Sequence, residues 1–217
     1  MLPKPIITTL SLARLDGGRR LGLDRQIPIG AAVLTARLKG PTVQFTLDSH
    51  VLRPSDTGNA LLAWLDRNLT TEGATIAGYR LSEVTDLLDG LAETTWSDAL
   101  RALKGRGKQQ VIDLSATVDD RPLRFEQACA LSQILCAQTD PSRRFADWVR
   151  AETGQIELDV EVDVLAAFRL VLRRIAATSP VARNVAGAIS TQFVAWLDQA
   201  GHVATRLHIT DLRSLAD

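Results

Sequence analysis

The chain has 217 residues, 46% hydrophobic and 23% charged, and its 25 basic and 25 acidic residues balance to zero net charge. This is the profile of a folded protein, and it predicts a single domain spanning residues 1–217 around one full hydrophobic core. Zero net charge argues against a strong non-specific nucleic-acid binder, whose affinity would come mainly from neutralising phosphates. No run near eighteen consecutive apolar residues occurs, and Met1-Leu2-Pro3-Lys4-Pro5 is a poor secretory signal, so a cytoplasmic location without a membrane span is expected.

In chain order, residues 6–15 read as an extended run closed by the turn signal Asp16-Gly17-Gly18. A second strand falls within residues 21–38, where Pro28 and Gly30 predict a bulge or a late start. Lys39-Gly40-Pro41 turns the chain again. Val43, Phe45 and Leu47 then alternate with polar residues, the pattern of a half-buried strand. These three strands form an antiparallel meander. Ser55-Asp56-Thr57 offers caps for a helix carrying Leu61, Leu62, Leu65 and Leu69. Residues 74–78 are a short apolar strand, expected to run parallel to the first. Ser82 is the expected cap of a second helix with Val84, Leu87, Leu88 and Leu91, broken near Thr94-Thr95 before a turn through Leu100 and Leu103. Residues 110–114 are another short strand. The rest reads as helical, with stripes through Phe125, Ala128, Cys129, Ser132 and Leu135, then Val164, Phe168, Val171, Leu172 and Ile175. Pro180 opens a long helix with Val185, Ile189, Phe193, Trp196 and Leu197 inward. The tail from His202 holds one more strand or helix.

Cys129 and Cys136, placed on one helix, would sit two turns apart, roughly 10 Å at ~1.5 Å per residue, too far to bridge. They read as small buried apolar residues. The three histidines, His50, His202 and His208, lack metal or triad spacing, and the last two are expected at the surface. Trp64, Trp96, Trp148 and Trp196 read as core rather than as base-stacking platforms. Arg101, Lys104, Arg106 and Lys108 make the densest positive stretch, either a solvated loop or a phosphate-backbone contact. Asp159 and Asp163, one helical turn apart, are either paired acids or an exposed acidic face.

Three antiparallel strands, then helix, strand, helix and strand, then helices: this is the element order of the ribonuclease-H-like fold. Two stretches sharpen that reading. Thr75-Ile76-Ala77-Gly78-Tyr79-Arg80, running on through Thr85-Asp86-Leu87-Leu88, resembles the second motif of the DEDD 3′–5′ exonucleases (DnaQ-like, family-B-polymerase type). Glu161-Val162-Asp163-Val164-Leu165 resembles their third motif. The resemblance implies an α/β fold with three antiparallel and two parallel strands, flanking helices and a helical C-terminal third. It also implies a site where several carboxylates hold two Mg²⁺ or Mn²⁺ ions for phosphodiester cleavage.

The sequence departs from that pattern. No acid precedes Asp16, and Thr9 and Ser11 stand where the first strand should carry an Asp-x-Glu pair. The acid position of the second motif falls on Thr85; Asp86 is one residue late, a rotation of about 100° on a helix. Arg80 replaces an Asn. Only Asp163 matches, with Asp159 four residues before it. The expected remnant cleft is therefore Thr9, Ser11, Thr85, Asp159 and Asp163, with no catalytic or metal-binding set. The resulting reading is a non-catalytic exonuclease-like domain, without cofactor, that keeps weak binding of single-stranded nucleic acid, through Arg101, Lys104, Arg106 and Lys108, or of a protein partner. Two alternatives stand beside it. One is an active metal-dependent nuclease, using Mg²⁺ or Mn²⁺ on the displaced acids Asp86, Asp113, Asp159 and Asp163. The other is an interaction or structural protein unrelated to nucleic acid. The oligomeric state is not legible.

Overall fold

The structure is a computed structural model that describes residues 6–16, 26–91, 96–115, 117–118 and 121–215. The turn glycines Gly17 and Gly18, the start of the second predicted strand and the Thr94-Thr95 break lie outside these residues. β1 (Ile6–Asp16), β2 (Gln26–Lys39) and β3 (Thr42–Val51) form the expected antiparallel meander. Gly40 supplies the left-handed residue of the β2–β3 turn at φ 60°. The disturbance predicted by Pro28 and Gly30 is a bulge: Ala13 pairs with Gly30 but Arg14 pairs with Pro28, leaving Ile29 unpaired.

After α1 (Gly58–Leu69) comes β4 (Thr75–Gly78), which pairs parallel to β1 with Leu10 opposite Gly78. α2 (Leu81–Asp89) and α3 (Asp98–Leu103) lead to β5 (Gln110–Asp113), parallel to β4, giving the order β3-β2-β1-β4-β5. This is the mixed sheet that the element order predicted. A small hairpin, β6 (Thr117–Val118) and β7 (Arg121–Pro122), was not foreseen. The helical third comes next as α4 (Phe125–Leu131), α5 (Pro141–Val149), α6 (Gly154–Thr178), α7 (Pro180–Gln199) and α8 (Val203–Ser214), so the tail is helix. Among the described residues no helix is long and apolar enough to cross a membrane.

Both faces of the sheet are covered, which explains the near-continuous apolar character of β1 and β2. Strand alternation divides the core. Ile7, Ala13 and Leu15 of β1 face α6 and α7, with Phe45, Phe168 and Phe193 at the centre, while Leu10, Ala31, Val33 and Ile76 face α1, α2 and α3. α6 is buried along Ile156, Val160, Val164, Phe168 and Val171, and it is the axle of the molecule.

Three local expectations are corrected. Ser82 is an exposed residue inside α2, and the cap position belongs to Arg80 at φ 51°. The helix bearing Cys129 stops at Leu131, so Ser132 and Leu135 do not continue its stripe. His208 is fully buried rather than superficial. Its Nε2 lies 2.9 Å from the Val162 carbonyl and its Nδ1 3.2 Å from Arg169 Nη1, which fixes a neutral ring that donates through Nε2 and accepts at Nδ1. Arg169 also pairs with Asp211, so this network clamps α8 onto α6. Burial, with the Arg169 charge adding to it, lowers the imidazole to about 4.

Candidate functional site

The parallel strands β1, β4 and β5 all point their carboxyl ends to one side, where α/β sheets place ligands. A polar cleft of about 750 Å³ opens there. β1 contributes Ser11, Arg14 and Asp16; the turn after β4 contributes Tyr79 and Arg80; α4 contributes Phe125 and Glu126; and Gln138, Thr139, Arg144 and Asp163 close the far wall.

Local chemistry explains how these groups are held. Gly78 ends β4 so close to β1 that an added Cβ would lie 3.0 Å from the Leu10 carbonyl and 2.6 Å from Leu81 Cδ2. Tyr79 donates its hydroxyl to the Leu123 carbonyl at 2.8 Å and meets Phe125 edge-on, fixing the hairpin side of the cleft. Arg80, which stands where the resembled motif carries Asn, takes a left-handed conformation that Asn would tolerate better. Its backbone N–H donates to Asp113 Oδ1 at 3.0 Å, and its guanidinium pairs with Glu83.

Of the predicted remnant set, Ser11 and Asp163 line the cleft. Thr9 and Thr85, expected in the cleft, do not line it: both are buried and spend their hydroxyls on backbone, Thr9 on the Leu34 carbonyl and Thr85 on the Leu81 carbonyl. Asp159 is joined to Arg144 at 3.4 Å and to Gln155. Asp163 Oδ1 accepts the Ala137 N–H at 2.9 Å. Burial raises the Asp163 carboxyl to about 7, aided by the Asp159 and Glu126 charges and opposed by the Ala137 hydrogen bond and Arg144. Among the displaced acids, Asp113 is engaged with the Arg80 and Ser115 amides and Asp86 is exposed on α2. Among the described residues, no three His, Cys, Asp or Glu side chains are grouped to hold a metal ion.

Arg144 was missed by sequence reasoning. Its guanidinium donates to Thr139 Oγ1 at 2.8 Å and reaches the Arg14 carbonyl at 3.4 Å, so it bridges α5, α6 and β1 beside both Asp159 and Asp163. No periodicity marks it, because its partners lie on three separate elements. Glu126, Gln138 and Thr139 were missed for the same reason. The positive stretch lies elsewhere. It precedes β5, at the amino ends of the parallel strands and thus on the opposite side of the sheet from the cleft. There Lys104 pairs with Asp89 and Lys108 with Glu72, while Arg101 donates to the Arg106 carbonyl and sits 5.7 Å over the ring of Trp96, which is exposed rather than in the core as expected.

No family model matches the sequence, and no curated protein does. Solved structures do. Exonuclease I bound to the inhibitor BCBP superposes with a TM-score of 0.51 at 12% identity, over 84% of this chain and 43% of that one. A product-bound exonuclease I gives 0.51 at 13%, over 84% and 46%. The moderately thermophilic exonuclease I from Methylocaldum szegediense gives 0.51 at 13%, over 88% and 45%. The chain thus has the exonuclease-like, ribonuclease-H-like fold, and it spans less than half the length of the exonuclease I structures it matches.

Proposed function

We propose that this exonuclease-like fold serves here as a non-catalytic binding domain, and that its cleft takes single-stranded nucleic acid weakly and without a divalent cation. The observation that carries this reading is Arg144. Its guanidinium stands against Asp159 and beside Asp163, the one acid that matches the family's metal-binding pattern. A two-metal site needs several ionised carboxylates converging on both ions. At Asp163 the groups present are a carboxyl held near neutral pH, a hydroxyl at Ser11 and a fixed cation; Asp16, Glu83 and Glu126 also line the cleft, but among the described residues no three acids are grouped to hold an ion. Mg²⁺ and Mn²⁺ require hard anionic oxygens, and this set does not fit them. It does fit a phosphate, because a guanidinium supplies the positive charge that a metal would otherwise bring.

Weakness follows from charge. Arg14, Arg80, Arg124 and Arg144 line the cleft, but Asp16, Glu83, Glu126 and Asp163 line it too. Few phosphates can be neutralised by so balanced a surface, so affinity and its salt dependence stay low.

The test is binding of a fluorescent single-stranded oligonucleotide by the full chain, with Mg²⁺, with Mn²⁺ and with EDTA, measured for both binding and hydrolysis. Equal, weak and only mildly salt-dependent binding in all three, without cleavage, and weakened several-fold by Arg14→Ala with Arg124→Ala, is expected. Metal-dependent degradation abolished by Asp163→Asn would replace this reading with the displaced-acid nuclease. Binding lost instead on changing Arg101, Lys104, Arg106 and Lys108 together would move the interface to the opposite side of the sheet. No binding under any condition would favour a protein-interaction role.

A further inference from the structure

Two thiols seven positions apart in sequence are neighbours in space. α4 ends at Leu131, the chain reverses through Gln133 at φ 50°, and the Ile134 N–H returns to the Cys129 carbonyl at 2.9 Å. That reversal lays Cys136 over the end of the helix, where Cys129 and Cys136 pack with Ile134 and Ala166 in one small cluster. Both are free thiols. The nearby Cys136 thiol is the main cause that pushes Cys129 above its ordinary range, with burial adding to it. The expectation that helical spacing keeps them apart is therefore overturned, because the helix they were assigned to does not extend that far.

Immediately after Cys136 the chain forms a wall of the cleft. Residues 134–140 are neither helix nor strand. Within them the Ala137 N–H holds Asp163, and Thr139 Oγ1 accepts from Arg144. Cys136 thus stands one residue from the hydrogen bond that positions the cleft carboxyl and three from the hydroxyl that positions the cleft guanidinium.

We propose that Cys129 and Cys136 form a modification site, a dithiol that a two-electron oxidant of the peroxide class converts reversibly into an intrachain disulfide, thereby shifting the 134–139 wall of the cleft. With hydrogen peroxide the atoms balance in two steps. Cys136, 7% exposed against 0% for Cys129, attacks one peroxide oxygen; the O–O bond breaks, one water leaves and a sulfenic acid remains on Cys136. The Cys129 sulfur then attacks that sulfur, the S–O bond breaks and a second water departs. Two thiols are oxidised and one peroxide is reduced to two waters. A free thiol reverses the bond by exchange. Bonding requires the sulfurs to close to roughly 2.05 Å, and the irregular 134–140 segment, rather than α4, is the part free to move. The proposed disulfide stands independently of nucleic-acid binding; only its consequence for the cleft bears on that reading.

The experiment treats the folded full chain with hydrogen peroxide, quenches with an alkylating reagent, then denatures and digests with trypsin. No Lys or Arg lies between Arg124 and Arg143, so both cysteines travel in one peptide, residues 125–143. That peptide is expected to lose two hydrogens and resist alkylation, to regain both on reduction, and to show neither change in Cys129→Ser or Cys136→Ser. Amide exchange over residues 134–139 is expected to change in the oxidised protein. Two alkylatable thiols after peroxide, or a bond that forms only once urea has unfolded the chain, would refute the site. A bond formed in the folded chain with unchanged exchange over 134–139 would refute its coupling to the cleft. Nucleic-acid affinity is measured separately, so a failure of binding leaves the mass result standing.

Discussion

Two buried groups of opposite character should make the stability of this protein nearly flat with pH, and removing either should expose the other. Asp163 has a folded value near 7 against 3.8 unfolded, so between those values the folded state keeps a proton that the unfolded state releases. Its contribution is therefore favourable at low pH and is lost as pH rises towards 7. His208 has a folded value near 4 against 6.5 unfolded, so between those values the unfolded state binds the proton. Its contribution is present above 6.5 and is lost as pH falls towards 4. At about 1.36 kcal/mol per unit, the ceilings are about 4 kcal/mol for Asp163 and about 3 kcal/mol for His208, and the cleft's water reduces the first. The windows overlap and the slopes oppose. Urea unfolding monitored by tryptophan fluorescence at steps from pH 4.5 to 8 reads this directly. Asp163→Asn keeps an acceptor for the Ala137 N–H, and it should unfold at higher urea than the parent at pH 8. It should then lose about 3 kcal/mol on acidification, where the parent loses little. His208→Gln should show the reverse, gaining stability as pH falls. If Asp163→Asn tracks the parent at every pH, the buried-carboxyl reasoning is wrong.

Two further changes test the backbone beneath the cleft. Gly78→Ala should cost about 1–3 kcal/mol in urea unfolding, since the new Cβ meets the Leu10 carbonyl of the paired strand as well as Leu81; a neutral result would mean that β1 and β4 are not in this register. Arg80→Asn should stabilise by about 0.5 kcal/mol, because relief of the left-handed conformation exceeds the loss of the exposed pair with Glu83. A destabilised Arg80→Asn protein would show that the guanidinium contributes more than its visible partner.

The strands and long helices were legible from sequence because their signals are local. Alternation through Val43, Phe45 and Leu47 and the stripe through Val164, Phe168 and Val171 follow from the geometry of strand and helix alone. Pro28 and Gly30 forecast the bulge for the same reason, and Gly40 forecast the turn. Asp163 was found because a short motif spans it. The two errors after α4, the stripe and the separation of the thiols, share a cause. The α4 stripe through Leu135 failed where a single left-handed residue, Gln133, reversed the chain, and no periodicity announces such a reversal.

By itself, then, the sequence determined the order of the five sheet strands and the long helices, and the absence of an acid at Thr9, Ser11 and Thr85. Only the tertiary structure decided which side chains share the cleft. Arg144 reaches β1 across 130 positions to touch the Arg14 carbonyl, and no local pattern encodes that contact. Packing of α8 on α6 decided that His208 would be buried, and the reversal after α4 decided that two thiols would meet. Strand direction decided that the positive stretch would lie on the opposite side of the sheet from the cleft. Periodicity records what each segment does with its own neighbours, whereas a site is assembled from the meeting of segments, and that is settled when the core closes.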